Sequence, residues 1–148
     1  MEGTMRIKRL TPMLNVSDLE RSLEFYQKLA GFELASPREA INEWRWAWIK
    51  SGQCELMLSE AGGPAHRAEQ IDPSRDEGWP AIYYFYPEDV VALHIEVQRQ
   101  AIPVSDLRVT FYGMKEFEVR DPDGHILWFG QGTDEPPTNE SPSGSLTH

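Results

Sequence analysis

The sequence predicts an α+β fold of two paired βαβββ modules. Two observations carry this. Each half of the chain holds one helical stripe of apolar residues that opens on a helix-start signal and is preceded by one strand-like run and followed by three. Each half is also too small to stand alone, so the two must share a core.

In the first half, residues 10–16 read as a strand. Ser17 and Glu20 have the spacing of a capping box, in which the hydroxyl takes a first-turn amide and the carboxylate reaches back. Leu19, Ser22, Leu23, Tyr26, Leu29 and Ala30 then fall on one helical face. Gly31 supplies the left-handed residue that ends many helices. Strands are expected over 32–36, 43–50 and 53–59. Trp44, Trp46 and Trp48 alternate onto one face of the middle run.

In the second half, residues 81–86 read as a strand. Pro87, Glu88 and Asp89 suit a helix start. Val90, Leu93, His94, Val97 and Ala101 form the stripe, in which His94 reads as a core histidine. Strands follow over 103–108, 115–120 and 125–130, the last two joined by an Asp121-Pro122-Asp123-Gly124 turn. Asp18 matches Asp89, and Gly31 matches Ala101. The expected domain spans 1–131, with module one about 6–60, a linker about 61–79 and module two about 80–131. Residues 132–148, rich in Pro, Ser and Thr, read as a flexible polar tail.

Composition narrows the function. The chain has 148 residues, 14 Lys plus Arg against 24 Asp plus Glu, and a net charge of −10. Such a chain repels phosphate backbones, which argues against nucleic acid as a partner. The same field attracts cations. The single cysteine, Cys54, cannot form an internal disulfide and alternates onto the core side of its strand. No run of about 20 apolar residues is present to span a bilayer. No apolar stretch follows the basic N-terminal residues, so the expected compartment is the cytoplasm.

Two segments resemble a known family. Val16, Asp18, Ser22, Phe25 and Tyr26, followed by Leu29, Gly31 and Phe32, resemble the V-x-D-x-x-x-S-x-x-F-Y opening of the vicinal-oxygen-chelate superfamily. That superfamily comprises glyoxalases, bleomycin-resistance proteins and extradiol dioxygenases. Gly113 to Gly124 resembles the G-x-R-E-F-x-V-x-D-P-D-G segment of its bleomycin-resistance branch, with Lys115 in place of Arg. The resemblance implies paired modules forming curved mixed sheets around a cleft, usually in a homodimer.

Metal-dependent relatives hold one divalent ion with four side chains. The resemblance carries those positions onto Thr11, Glu55, Ile82 and Trp128. Ile82 and Trp128 offer no lone pair and Thr11 only a neutral hydroxyl, so Glu55 is the one weak metal candidate. Gln131 is a possible displaced ligand. The expectation is no cofactor, with one divalent metal ion as the alternative.

If Thr11, Ile82, Glu55 and Trp128 face the cleft, strand alternation brings Met13, Asn15, Tyr84, Tyr86 and Met57 with them. Trp46 and Trp48 share a face that lines the cleft, the core or a dimer interface. The expected ligand-binding set is Glu55, Met57, Tyr84, Tyr86, Trp46, Trp48, Trp128, Met13 and Asn15. Ring faces and one acid bind flat or cationic organic molecules. Leu14, Val16, Leu56, Leu58, Tyr83, Phe85, Leu127 and Phe129 would lie on the other faces, beneath the helices. Glu116, Glu118 and Arg120 read as a solvated strand face.

The reading is a non-catalytic protein that sequesters a small, possibly cationic ligand as a homodimer, as the bleomycin-resistance resemblance implies. One alternative is a metal-dependent lyase, isomerase or dioxygenase of the same superfamily. Another is a structural or regulatory interaction protein.

Overall fold

Asp18 and Asp89 start the two long helices in the same way. Both are extended, and each carboxylate accepts an amide three residues on, from Arg21 and Ala92. The helices they open are α1 (Leu19–Ala30) and α3 (Val90–Arg99). The computed structural model describes residues 5–60 and 81–138. The expected linker, with His66, and residues 139–148, with His148, lie outside the described residues.

Module one comprises β1 (Met13–Val16), α1, β2 (Glu33–Leu34), α2 (Arg38–Trp44), β3 (Trp46–Ser51) and β4 (Cys54–Glu60). Module two comprises β5 (Ile82–Phe85), α3, β6 (Arg108–Val109), β7 (Met114–Arg120) and β8 (Ile126–Gly132). Each module makes a four-stranded mixed sheet, in the orders β1-β4-β3-β2 and β5-β8-β7-β6. Met13 pairs with Met57 and Tyr84 with Trp128, each 71 positions further on, so the repeat holds residue by residue. The paired-module α+β architecture is the one the sequence predicts.

The core lies between the sheets and the helices. Leu14, Val16, Leu56, Leu58, Leu127 and Phe129 are buried there with Leu19, Tyr26, Leu29 and Val97 from the helices. Tyr83, Phe85 and Cys54 pack against it. Burial, then the neighbouring Glu55, pushes the Cys54 thiol pKa up. His94 is a core histidine, its Nε2 2.8 Å from the Ser105 carbonyl and its ring against Phe117.

Several expectations need correction. Asp18, not Ser17, caps α1; the Ser17 amide is taken by the Asp123 carboxylate, and Glu20 pairs with Arg38 instead of reaching back. Trp44 ends α2, a helix the tryptophan alternation concealed. Arg45, at φ 54°, breaks the run, so Trp44 does not share the face of Trp46 and Trp48. Ala101 lies past the end of α3, is exposed, and adopts φ 62° beside the 67° of Gly31. Strand β6 begins only at Arg108, because the preceding residues make loop contacts to β7 such as Ser105 N–H to Glu118 O.

Residues 133–138 do not form a loose tail. Thr133 bonds to Gly113, Thr138 exchanges bonds with Val109, and Glu135 pairs with Lys115. Among the described residues, no helix is long and apolar enough to cross a membrane.

The Asp121 turn does more than join β7 to β8. Buried Asp121 accepts amides from Asp123 and His125, and also the Tyr26 hydroxyl at 2.7 Å. His125 Nε2 lies 2.8 Å from the Asn15 carbonyl, which places the proton on that nitrogen. The turn of module two thus fastens the start of module one's helix.

Candidate functional site

Pairing register decides which side chains share a face. On the first sheet, Met13, Met57 and Trp48 stand side by side, next to Asn15, Ser59 and Trp46, with Glu55 opposite Lys50. On the second, Tyr84, Trp128 and Glu118 form one row and Glu116 lies opposite Gly130. In both sheets these faces look away from the core.

A cavity of about 580 Å³ opens where the start of β4 approaches β5. Strand β1 pairs with β4 only from Met57 onward, and β5 is an edge strand, so two strand flanks face each other across a gap. Glu55, Ile82, Tyr84 and Tyr86 line it, with Leu10 and Pro12 at the chain's entry to β1. The volume suits a small organic molecule.

Of the nine side chains singled out in the sequence, the structure therefore brings Glu55, Tyr84 and Tyr86 to one cavity. Trp48 joins through its indole N–H, which donates to Glu55 Oε1 at 3.0 Å. Trp128 joins through ring contact with Tyr84, their centroids 6.2 Å apart. Trp46 touches Trp48, 6.3 Å between rings. Met13, Asn15 and Met57 share the first sheet's outer face but do not line the cavity.

Sequence reasoning missed Glu116 and Glu118. Both are buried, at 2% and 9% exposure, on what was read as a solvated face. The reason is cross-strand. Tyr84 and Tyr112 donate their hydroxyls to Glu116 at 2.7 and 2.9 Å, with Arg108 at 3.6 Å. Trp128 Nε1 and Arg120 Nε donate to Glu118 at 3.1 and 2.9 Å. Buried carboxylates persist when donors surround them. Burial and then the Glu116 hydrogen bond push the Tyr84 phenol pKa well above its usual range. Gly130 makes this possible: a Cβ there would lie 2.0 Å from the Tyr84 hydroxyl oxygen. A glycine inside a strand was the signal available in the sequence.

Gln131 is no displaced ligand. Its Oε1 accepts the Val90 amide at 2.8 Å, as Glu60 Oε2 accepts the Leu19 amide at 2.8 Å in module one.

The family model of the glyoxalase/bleomycin resistance protein/dioxygenase superfamily matches residues 6–129. The chain belongs to this superfamily. No curated protein matches the sequence. Among solved structures, TioX from Micromonospora sp. ML1 is 19% identical, with a TM-score of 0.67, over 82% of this chain and 97% of that one. A lactoylglutathione lyase from Agrobacterium tumefaciens is 21% identical, with a TM-score of 0.64, over 86% and 96%. The virulence protein STM3117 from Salmonella typhimurium is 20% identical, with a TM-score of 0.61, over 87% and 100%. At these identities the likeness is one of fold.

The superfamily's metal positions can be tested on this member's own donors. The 71-residue repeat makes Met57, not Glu55, the counterpart of Trp128, and Ile126 the counterpart of Glu55, so the positions offer one carboxylate at most, that of Glu55. Its Oε1 already takes the Trp48 N–H and faces Arg9 at 3.7 Å. Among the described residues no group of three or more His, Cys, Asp or Glu converges. This donor set does not fit a divalent ion.

Proposed function

We propose that this protein binds a flat or cationic organic molecule between Glu55 and Tyr84 and holds it without chemical turnover, as the resemblance to the bleomycin-resistance branch implies. The observation that carries the reading is the composition of the cavity wall. Of the four positions where the resemblance places a metal ligand, the wall holds Ile82, an aliphatic chain, and Glu55, its one charged side chain among the described residues, beside the rings of Tyr84 and Tyr86. Rings supply area and cation–π attraction, and the acid supplies charge complementarity. Sequestration needs only these, and a chain of net charge −10 favours a basic guest.

A homodimer belongs to the same proposal. Ile82 and Tyr86, which line the cavity, are 44% and 76% exposed, and Met13 on the first sheet's outer face is 45% exposed, apolar surface that a second copy would cover.

The test is a thermal-shift screen of the full chain with a panel of cationic and neutral flat aromatics. It is paired with Glu55→Gln and with elemental analysis of the purified protein. Stabilisation by cationic aromatics, lost in Glu55→Gln, supports the reading. Stoichiometric metal that is lost in the same variant overturns it in favour of the metal-dependent enzyme.

A further inference from the structure

The cavity's acid already has a cation of the protein's own beside it. The Arg9 guanidinium carbon stands 5.6 Å from the centroid of the Trp48 ring. Its Nη2 lies 3.7 Å from Glu55 Oε1, the oxygen that also takes the Trp48 N–H at 3.0 Å. One planar cation thus rests on a ring face and against a carboxylate that the same ring holds in place. The carboxylate side chain is only 21% exposed, and it lines the 580 Å³ cavity together with Leu10, the next residue after Arg9.

Among the described residues, little else ties Arg9 down. It belongs to an arm, residues 5–12, that forms neither helix nor strand. The apolar side chains of the arm, Met5, Ile7 and Leu10, are 91%, 87% and 80% exposed, so burial does not anchor it. Arg9 itself is 63% exposed. An exposed ion pair and an exposed cation–π contact are individually weak, so a better-fitting cation can replace this one at small cost.

We propose that Arg9 is a resident stand-in for the ligand's cationic group, and that the seat formed by Trp48 and Glu55 takes a planar delocalised cation of the guanidinium or amidinium type. This rests on the reading of the groove as an organic-ligand site. The seat selects the class by shape: a flat cation covers the indole while directing an N–H edge at Glu55, which a tetrahedral ammonium does less well. While Arg9 occupies the seat, apparent affinity falls by the fraction of molecules in which it is vacant.

The probe is benzamidinium, titrated calorimetrically into the full chain, with uncharged benzamide as its control. Wild type is expected to bind benzamidinium and not benzamide at the same concentration. Arg9→Ala binds it about fivefold tighter. Arg6→Ala removes the same charge from the same arm and leaves affinity unchanged. Glu55→Gln weakens binding at least about tenfold. An Arg9→Ala affinity equal to or below wild type overturns the stand-in. Equal tightening by Arg6→Ala also overturns it, because long-range charge then explains the effect. Equal binding of benzamide overturns the ligand class. If neutral flat aromatics bind in the groove and benzamidinium does not, this proposal falls and the groove reading survives; if nothing binds, both fall.

Discussion

The two modules solve one problem in two ways. Each sets an indole N–H against a glutamate on its sheet's outer face, Trp48 to Glu55 in the first and Trp128 to Glu118 in the second. In module two the acid sits mid-strand and is sealed by Arg120, with Glu116 and its two tyrosines alongside. In module one the acid is at the start of β4, beyond the reach of β1, and opens on a cavity and a loose arm. The lesson is that the hydrogen bond is common to both, while the acid's place along its strand, second residue of β4 or middle of β7, decides whether it becomes doorway or floor.

The largest expected effect comes from breaking the closed arrangement. Gly130→Ala drives the Tyr84 ring off β8 and leaves Glu116 one donor short. A loss of about 3 kcal/mol in urea unfolding is expected, with no comparable effect at Ser59, the module-one counterpart.

Next is the fastening between modules. Tyr26→Phe leaves buried Asp121 without its hydroxyl donor, at about 2 kcal/mol. The same variant carries a pH signature. Burial, and then Asp121, raises the Tyr26 phenol pKa in the folded chain above its ordinary value of 10.0. The unfolded chain therefore gives up this proton first. The stability tied to it is complete below pH 10 and is lost as pH rises above that. Denaturation midpoints should fall above pH 10 in wild type and fall less in Tyr26→Phe.

Smaller effects test the helix starts. Glu60→Ala and Gln131→Ala each uncap a first-turn amide, at about 1 kcal/mol apiece. Glu60→Gln makes module one resemble module two. It should keep the cap and lose only a salt-sensitive part under about 1 kcal/mol, because Arg45 is half exposed. Ala101→Gly makes module two resemble module one at its helix end. Relieving a left-handed alanine should gain about 1 kcal/mol or less, read by thermal melting.

What the sequence disclosed follows range of interaction. Helix stripes, the helix starts to within a residue and the repeat register depend on near neighbours, and they were legible; the cap itself passed from Ser17 to Asp18 because the Ser17 amide is taken by Asp123. That Trp46 and Trp48 share a face followed from alternation, while the side taken by Glu55 and Trp128 came from the family resemblance and that of the tryptophan pair stayed open. Helix α2 was hidden because three alternating tryptophans imitate a strand until Arg45 turns left-handed. The burial of Glu116 and Glu118 was hidden because its cause lies on other strands: Tyr84 comes from β5 and Trp128 from β8. The cavity itself depends on where β1 stops pairing, which no local pattern states.

The acceptor for the Tyr26 hydroxyl is 95 residues away, and the Ser17 amide waits for a carboxylate 106 residues on. During synthesis the first helix therefore leaves the ribosome long before the hairpin that completes it. Whatever structure module one gains early is provisional, and the Asp121 turn, far later in the chain, locks both halves together.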